Sequence, residues 1–186
     1  MNIGFALCGS FCTYEKVFPV MEELAKKHNI IPIFSFAAGT VDTRFGSAAE
    51  HIARAEAICG RTVLGSIPDV EPIGPKKMLD VLLIAPCTGN TLAKLAHSIA
   101  DTPVTMAAKS HLRNGRPIVL GVSTNDGLAG AAENIGKLLG RKHYYFVPFG
   151  QDDPVNKPSS LVADFSFTEA AILAATEGRQ LQPTLL

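Results

Sequence analysis

Asp80-Val81-Leu82-Leu83-Ile84-Ala85-Pro86-Cys87-Thr88-Gly89-Asn90-Thr91 is the stretch whose reading decides the fold. The run from Val81 to Ala85 is apolar without alternation, so both faces of the strand are buried, as in a parallel sheet covered by helices. The small polar residues behind it end the strand and open a helix over residues 91–100. Toward the N-terminus, residues 2–7 read as a first strand ending in Cys8-Gly9-Ser10. Thr13 then opens a helix with apolar residues at Val17, Val20, Met21 and Leu24. Pro19 is tolerable there only near the helix start and otherwise kinks it. Residues 30–36 read as a second strand entered from a turn at Pro32, 37–44 as a polar loop, and 47–59 as a second helix. Residues 60–75 form an irregular excursion with one short strand at 62–64. Toward the C-terminus, a helix starts at Pro103 and stops at Asn114-Gly115. A strand over 117–122, a helix over 127–139, a strand over 143–147 and a polar loop over 150–160 follow. The capping box Ser166-Phe167-Thr168-Glu169 opens a last helix that ends at Gly178, and 179–186 is expected to be a loose tail.

This alternation predicts an α/β fold, a three-layer doubly wound parallel sheet of the flavodoxin-like or Rossmann-like kind, in one domain spanning 1–186. Such sheets bind ligands beyond the carboxyl ends of their strands, where the winding reverses. Three turns reach that edge: Gly9-Ser10-Phe11, Cys87-Thr88-Gly89-Asn90-Thr91 and Ser123-Thr124-Asn125-Asp126. Helix N-termini with nearby hydroxyls make a cradle for phosphate or carboxylate. Taken singly, each turn is better explained by helix capping; three on one edge favour an anion-bearing ligand. Arg44, in the group Thr40, Asp42, Thr43 and Arg44 after the second strand, is a cation suited to gripping a carboxylate, or else a solvated loop residue.

The 17 Lys and Arg balance 17 Asp and Glu, and no basic run offers a footprint for nucleic acid or an anionic membrane. No apolar run approaches a membrane span, and the N-terminus lacks a basic secretory n-region, so a cytoplasmic protein is expected. Cys8, Cys12, Cys59 and Cys87 form no C-x-x-C pair, and the five histidines sit at no ligand spacing, so no metal is expected. Cys87 at a strand end is either a nucleophile or, more simply, a small buried filler. His51 reads as a solvent-edge residue; His97 and His111 also lie on helical stretches, and any of the three could serve as a general base. No G-x-G-x-x-G follows the first strand and no P-loop occurs anywhere.

The run Ala85-Pro86-Cys87-Thr88-Gly89-Asn90-Thr91-Leu92-Ala93-Lys94-Leu95-Ala96-His97-Ser98-Ile99-Ala100-Asp101 resembles the motif A-P-A-[ST]-A-N-T-x-A-K-x-A-x-G-I-A-D. That motif marks the flavoprotein family of FMN-binding cysteine decarboxylases and flavin prenyltransferases. Leu7-Cys8-Gly9-Ser10 is similar to the family's first phosphate-side turn, and residues 112–120 to its strand leading to the flavin. The resemblance implies FMN held by Gly9, Ser10, Phe11, Ser35, Cys87, Thr88, Asn90 and Thr91. It leaves Arg44, Ser123, Thr124 and Asn125 to hold substrate carboxylates, with no catalytic residue singled out. Thr43-Arg44-Phe45-Gly46, residues 72–80 and Ser123-Thr124-Asn125-Asp126-Gly127-Leu128 are similar to one branch of the family. That branch implies oxidation of a dihydropyridine dicarboxylate to pyridine-2,6-dicarboxylate with an NADP-binding A subunit, in the mother cell of a sporulating bacterium. The family implies homo-oligomers, trimers or assemblies of trimers, with the ligand pocket at a subunit interface. Pro72 stands where the decarboxylases place a histidine, and Val122-Ser123-Thr124-Asn125 replaces their P-x-M-N, so a cysteine decarboxylase is a poor reading. Gly89 replaces the motif's usual Ala. Two alternatives stay open: a prenyltransferase-like FMN enzyme, for which Ser123 to Asp126 supply no basic residue, and a non-catalytic flavodoxin-like activating subunit.

Overall fold

A computed structural model describes all 186 residues. Five parallel strands carry the fold: β1 (Asn2–Leu7), β2 (Asn29–Phe34), β3 (Val81–Cys87), β4 (Ile118–Thr124) and β5 (Tyr144–Phe146). Their spatial order is β2-β1-β3-β4-β5, so the winding reverses between β1 and β3. Every residue of β3 and all but the last of β4 are buried, as expected for strands covered on both faces. β2 lies at the sheet edge, where Pro32 is tolerated mid-strand rather than at its start. The Pro32 carbonyl accepts from the Leu64 N–H, and the expected short strand at 62–64 reduces to this one bridge.

The helices are α1 (Tyr14–Ala25), α2 (Phe36–Thr40), α3 (Ala48–Cys59), α4 (Ile67–Val70), α5 (Gly89–Ala96), α6 (Pro103–Leu112), α7 (Ala132–Leu139) and α8 (Thr168–Thr176). α1 packs with α3 and with the segment entering α8; α5 packs with α6 and α7. The sheet between these layers anchors one contiguous apolar core.

Four expectations need correction. The loop after β2 contains the short α2, because the Ser35 hydroxyl accepts from the Ala38 N–H at 3.2 Å and starts a helical turn. The loop over 150–160 is flanked by β6 (Phe149–Gly150) and β7 (Leu161–Ala163), an antiparallel pair. β7 also runs antiparallel to the end of β4, through Ser123↔Val162 and Thr124↔Leu161. The sheet is therefore mixed at this side, with β5 beside the first half of β4 and β7 beside the second. The residues expected as a loose tail pair with β6: the Phe149 N–H donates to Thr184, and the Leu186 N–H to Phe149. Ser166 does not cap α8. Its hydroxyl and N–H both donate to Asp164, which opens a 3-10 turn ahead of the helix.

Candidate functional site

A cavity of about 360 Å³ opens at the carboxyl ends of β1, β3 and β4, at the reversal of winding. Gly9 and Ser10 reach it from β1, Thr88 from β3, and Ser123, Thr124 and Asn125 from the end of β4. Each lies there because its strand is pinned by burial and the residue behind the last buried position must leave the sheet at that edge. Three hydroxyls form a closed cluster: Ser10 to Ser123 at 2.8 Å, Thr13 to Ser123 at 2.7 Å and Ser10 to Thr13 at 3.0 Å. Thr13 is 5% exposed and Ser123 4%. Hydroxyl protons rotate freely, so this cluster can turn donors toward an anion without moving a heavy atom.

The structure adds residues that the sequence reading did not place here: Cys12, Thr13, Lys16, Asp152, Lys157 and Val162. Thr13 and Lys16 were within reach, because they follow Gly9-Ser10 at helical spacing on one face. Asp152 and Lys157 were not, because only the antiparallel return of β7 along β4 folds their loop over the site. That loop is held by its own bonds: Ser160 donates to Asp152 at 2.5 Å, Lys157 pairs with Asp152 at 3.5 Å, and the Gln151 side chain donates to Pro158 at 2.8 Å. The Ser160 hydroxyl keeps the Asp152 carboxyl below the usual carboxylate range, so it is ionised at neutral pH.

Thr88 lines the cavity; the remaining expected residues lie around it and not in its lining. Thr88 caps α5, accepting from the Thr91 N–H at 3.3 Å, and its hydroxyl donates to Thr91 at 3.1 Å. Thr91 is buried and donates to the Cys8 sulfur at 3.3 Å. Asn90 is exposed on the first turn of α5. Ser35 is occupied in capping α2. Phe11 packs its ring against Tyr14 and His51. Cys87 is fully buried and its thiol is pushed well above the ordinary range by desolvation; Cys8, raised to about 11, shares this fate. Both behave as the fillers expected of buried thiols, not as nucleophiles. Arg44 is exposed, its guanidinium 4.8 Å above the ring of Phe45, and does not line the cavity.

The histidines also differ from expectation. His51 is not a solvent-edge residue: it is 8% exposed, with Tyr14 edge-on at 4.8 Å and Phe18 stacked at 6.0 Å, and burial lowers its pKa. His111 is fully buried, with Nε2 3.0 Å from the Pro117 carbonyl, and desolvation lowers its pKa to about 4. Neither lines the cavity.

The cavity suits an anion with hydroxyl neighbours, as found in a phosphoryl group on a polyol chain. Gly9 lets the backbone approach closely, since a Cβ there would stand 3.2 Å from Ala37. Val162 and Cys12 are the only apolar side chains of the lining, so this cavity by itself offers no flat apolar slot for an aromatic ring system.

Comparison with known proteins gives a consistent picture. The family model described as Flavoprotein matches residues 1–130. The B subunit of dipicolinate synthase from Bacillus subtilis is 46% identical over 186 residues, covering 100% of this chain and 93% of that protein. The crystal structure of the corresponding B subunit from Bacillus halodurans superposes with a TM-score of 0.91 at 44% identity, over 100% of this chain and 95% of that one. The FMN-dependent cysteine decarboxylase SpaF shares the fold, with a TM-score of 0.67 at 23% identity over 94% of this chain and 97% of that one.

Proposed function

The chain belongs to the Flavoprotein family and is a relative of the B subunit of dipicolinate synthase, and from that premise we propose that it is the B subunit of such an enzyme. It works with an NADP-binding A subunit to oxidise a dihydrodipicolinate-type intermediate to pyridine-2,6-dicarboxylate in a sporulating bacterium. The observation that carries this reading is identity of 46% over 186 residues, covering 100% of this chain and 93% of that protein. Aromatisation removes a hydride and a ring proton, so the reaction needs a two-electron acceptor and firm orientation of a dianion. That no G-x-G-x-x-G follows β1 supports the reading in which the partner holds NADP.

FMN is the cofactor proposed for this chain, and when bound it supplies two-electron redox chemistry. Ser10, Thr13 and Thr88, with the backbone at Gly9, would hold its phosphoryl and polyol end, while Ser123, Thr124 and Asn125 would face substrate. The apolar cover for the ring must come from beyond the cavity. That requirement supports a homo-oligomer with the pocket completed at a subunit interface.

The absorption spectrum of the purified chain titrated with FMN tests the cofactor. A stoichiometric flavin band that disappears in Ser10→Ala plus Thr88→Ala is expected; no band at any FMN concentration would overturn it. Reconstitution with the A subunit tests the reaction: pyridine-2,6-dicarboxylate should form only with both chains present. Full activity in that pair with the pocket variants would instead favour a non-catalytic activating role.

A further inference from the structure

A groove of about 510 Å³ lies between the segment 71–76 and α6, and none of its lining residues belongs to the hydroxyl-lined cavity. Lys76, Lys109 and Arg113 bring three cations to it, and Glu71 is its one carboxylate. The groove is preformed. Gly74 sets its backbone directly on α6, where a Cβ would stand 2.6 Å from the Ser110 carbonyl oxygen. The Asn114 side chain donates to the Gly74 carbonyl at 2.9 Å, and Pro72 and Pro75 stiffen the chain on either side.

The charge of this groove is not used within the chain. Nine ion pairs form in the molecule, and none includes Lys76, Lys109, Arg113 or Glu71. Lys109 and Arg113 stand four residues apart on one face of α6 and its cap, where like charges repel. The negative end of the helix dipole offsets part of that repulsion, but it does not account for Lys76, which comes from another segment. Ser110 lines the same groove; it is 6% exposed, and its hydroxyl has no hydrogen-bond partner within the chain. Buried polar groups are nearly always satisfied, so a hydroxyl left free beside three unpaired cations is a donor set awaiting an oxyanion.

We propose that this groove is a second anion site, which takes a small molecule bearing a phosphate monoester. Three cations less one carboxylate leave a surplus of two positive charges, and a phosphate monoester carries about −1.5 to −2 at neutral pH. The two lysines act as point charges that meet a tetrahedral oxyanion from different segments, Arg113 adds a planar fork, and Ser110 donates to a remaining oxygen. Met106, Pro72 and Pro75 supply apolar contact for the rest of the molecule. The concave shape and the balanced charge of the whole chain favour a small ligand over a nucleic acid. The site does not depend on the dicarboxylate reading above.

Calorimetric titration of phenyl phosphate into the full chain, as wild type and as Ser10→Ala plus Thr88→Ala, tests it. The double variant lacks hydroxyls of the other cavity, so the one-to-one binding expected of it belongs to the groove. Added to that background, Lys109→Gln plus Arg113→Gln should weaken binding by about tenfold or more, and Ser110→Ala by a smaller factor. Glu71→Gln should tighten it, a gain that a merely destabilised variant would not give. Binding should also weaken as salt is raised, because the three cations are exposed. Affinity within twofold of the parent in the Lys109 and Arg113 variant overturns the site. Absence of phenyl phosphate binding, or binding that vanishes in Ser10→Ala plus Thr88→Ala, overturns it equally. Inorganic phosphate bound as tightly as phenyl phosphate would overturn the apolar contact at Met106.

Discussion

Gly89 is the first residue of α5, a position where alanine is ordinarily the better helix former by about 1 kcal/mol. Here a Cβ would stand 2.8 Å from both the Thr124 hydroxyl and the Asp126 carboxylate, which are hydrogen-bonded to each other. The clash outweighs the propensity. Gly89→Ala should therefore destabilise by about 1 kcal/mol in urea unfolding, roughly the net worth of the hydrogen bond that must open. The departure from the family's alanine is thus compensated across the turn after β4. His111 supports a second prediction. Its pKa falls from 6.5 to about 4 on folding, so between those values the unfolded chain binds the extra proton. Stability is full above about pH 6.5 and declines as pH falls toward 4, by up to about 3 kcal/mol. His111→Gln, which keeps a donor near the Pro117 carbonyl, should flatten that slope in urea unfolding measured from pH 7 to 4.

At the scale of elements, α1 shows how tertiary contacts override a local signal. A proline is best tolerated near a helix start, yet α1 begins five residues before Pro19 and runs on through Ala25. Val17, Phe18, Met21 and Leu24 bury the inner face, while Glu15 and Pro19 lie outside, so the carbonyl deprived of its partner faces water. Pro19→Ala should restore that bond and stabilise the protein by about 1 kcal/mol or more, read as a higher urea midpoint with unchanged slope. The entry to α3 obeys its local code. Ser47 and Glu50 form the reciprocal cap, and Gly60 closes the helix in the left-handed region. Ser47→Ala is expected to cost about 1 kcal/mol in the same assay. The last helix breaks its code because the Ser166 hydroxyl donates to Asp164 at 2.7 Å and makes no cap bond to α8.

For the whole molecule, one core joins both helical layers through the sheet, and the cavity draws on three strands and the return loop at once. Unfolding should be a single cooperative transition in which far-ultraviolet dichroism and release of bound FMN coincide; flavin lost at distinctly lower urea would mean that the return loop opens alone. The strands of the parallel sheet, the longer helices and the edge at which a ligand would sit were legible, because burial on two faces writes itself as uninterrupted apolar runs; the short α2 and α4 were not, because one turn of helix carries too few side chains to show a period. Ser10, Thr88 and Ser123 were legible with the strands, since each lies within three residues of the end of such an apolar run. The antiparallel β6–β7 pair was not, because two- and three-residue strands carry too few side chains to show a period. Nor was the placement of Lys157 and Asp152 in the cavity, or of Arg44 away from it. The sequence by itself determined the parallel strands, the longer helices and which edge of the sheet is open, because those depend on neighbours along the chain. Only the tertiary structure decided which charges meet over that edge, because pairing β7 with β4 brings together residues more than thirty positions apart, and no local preference encodes that distance.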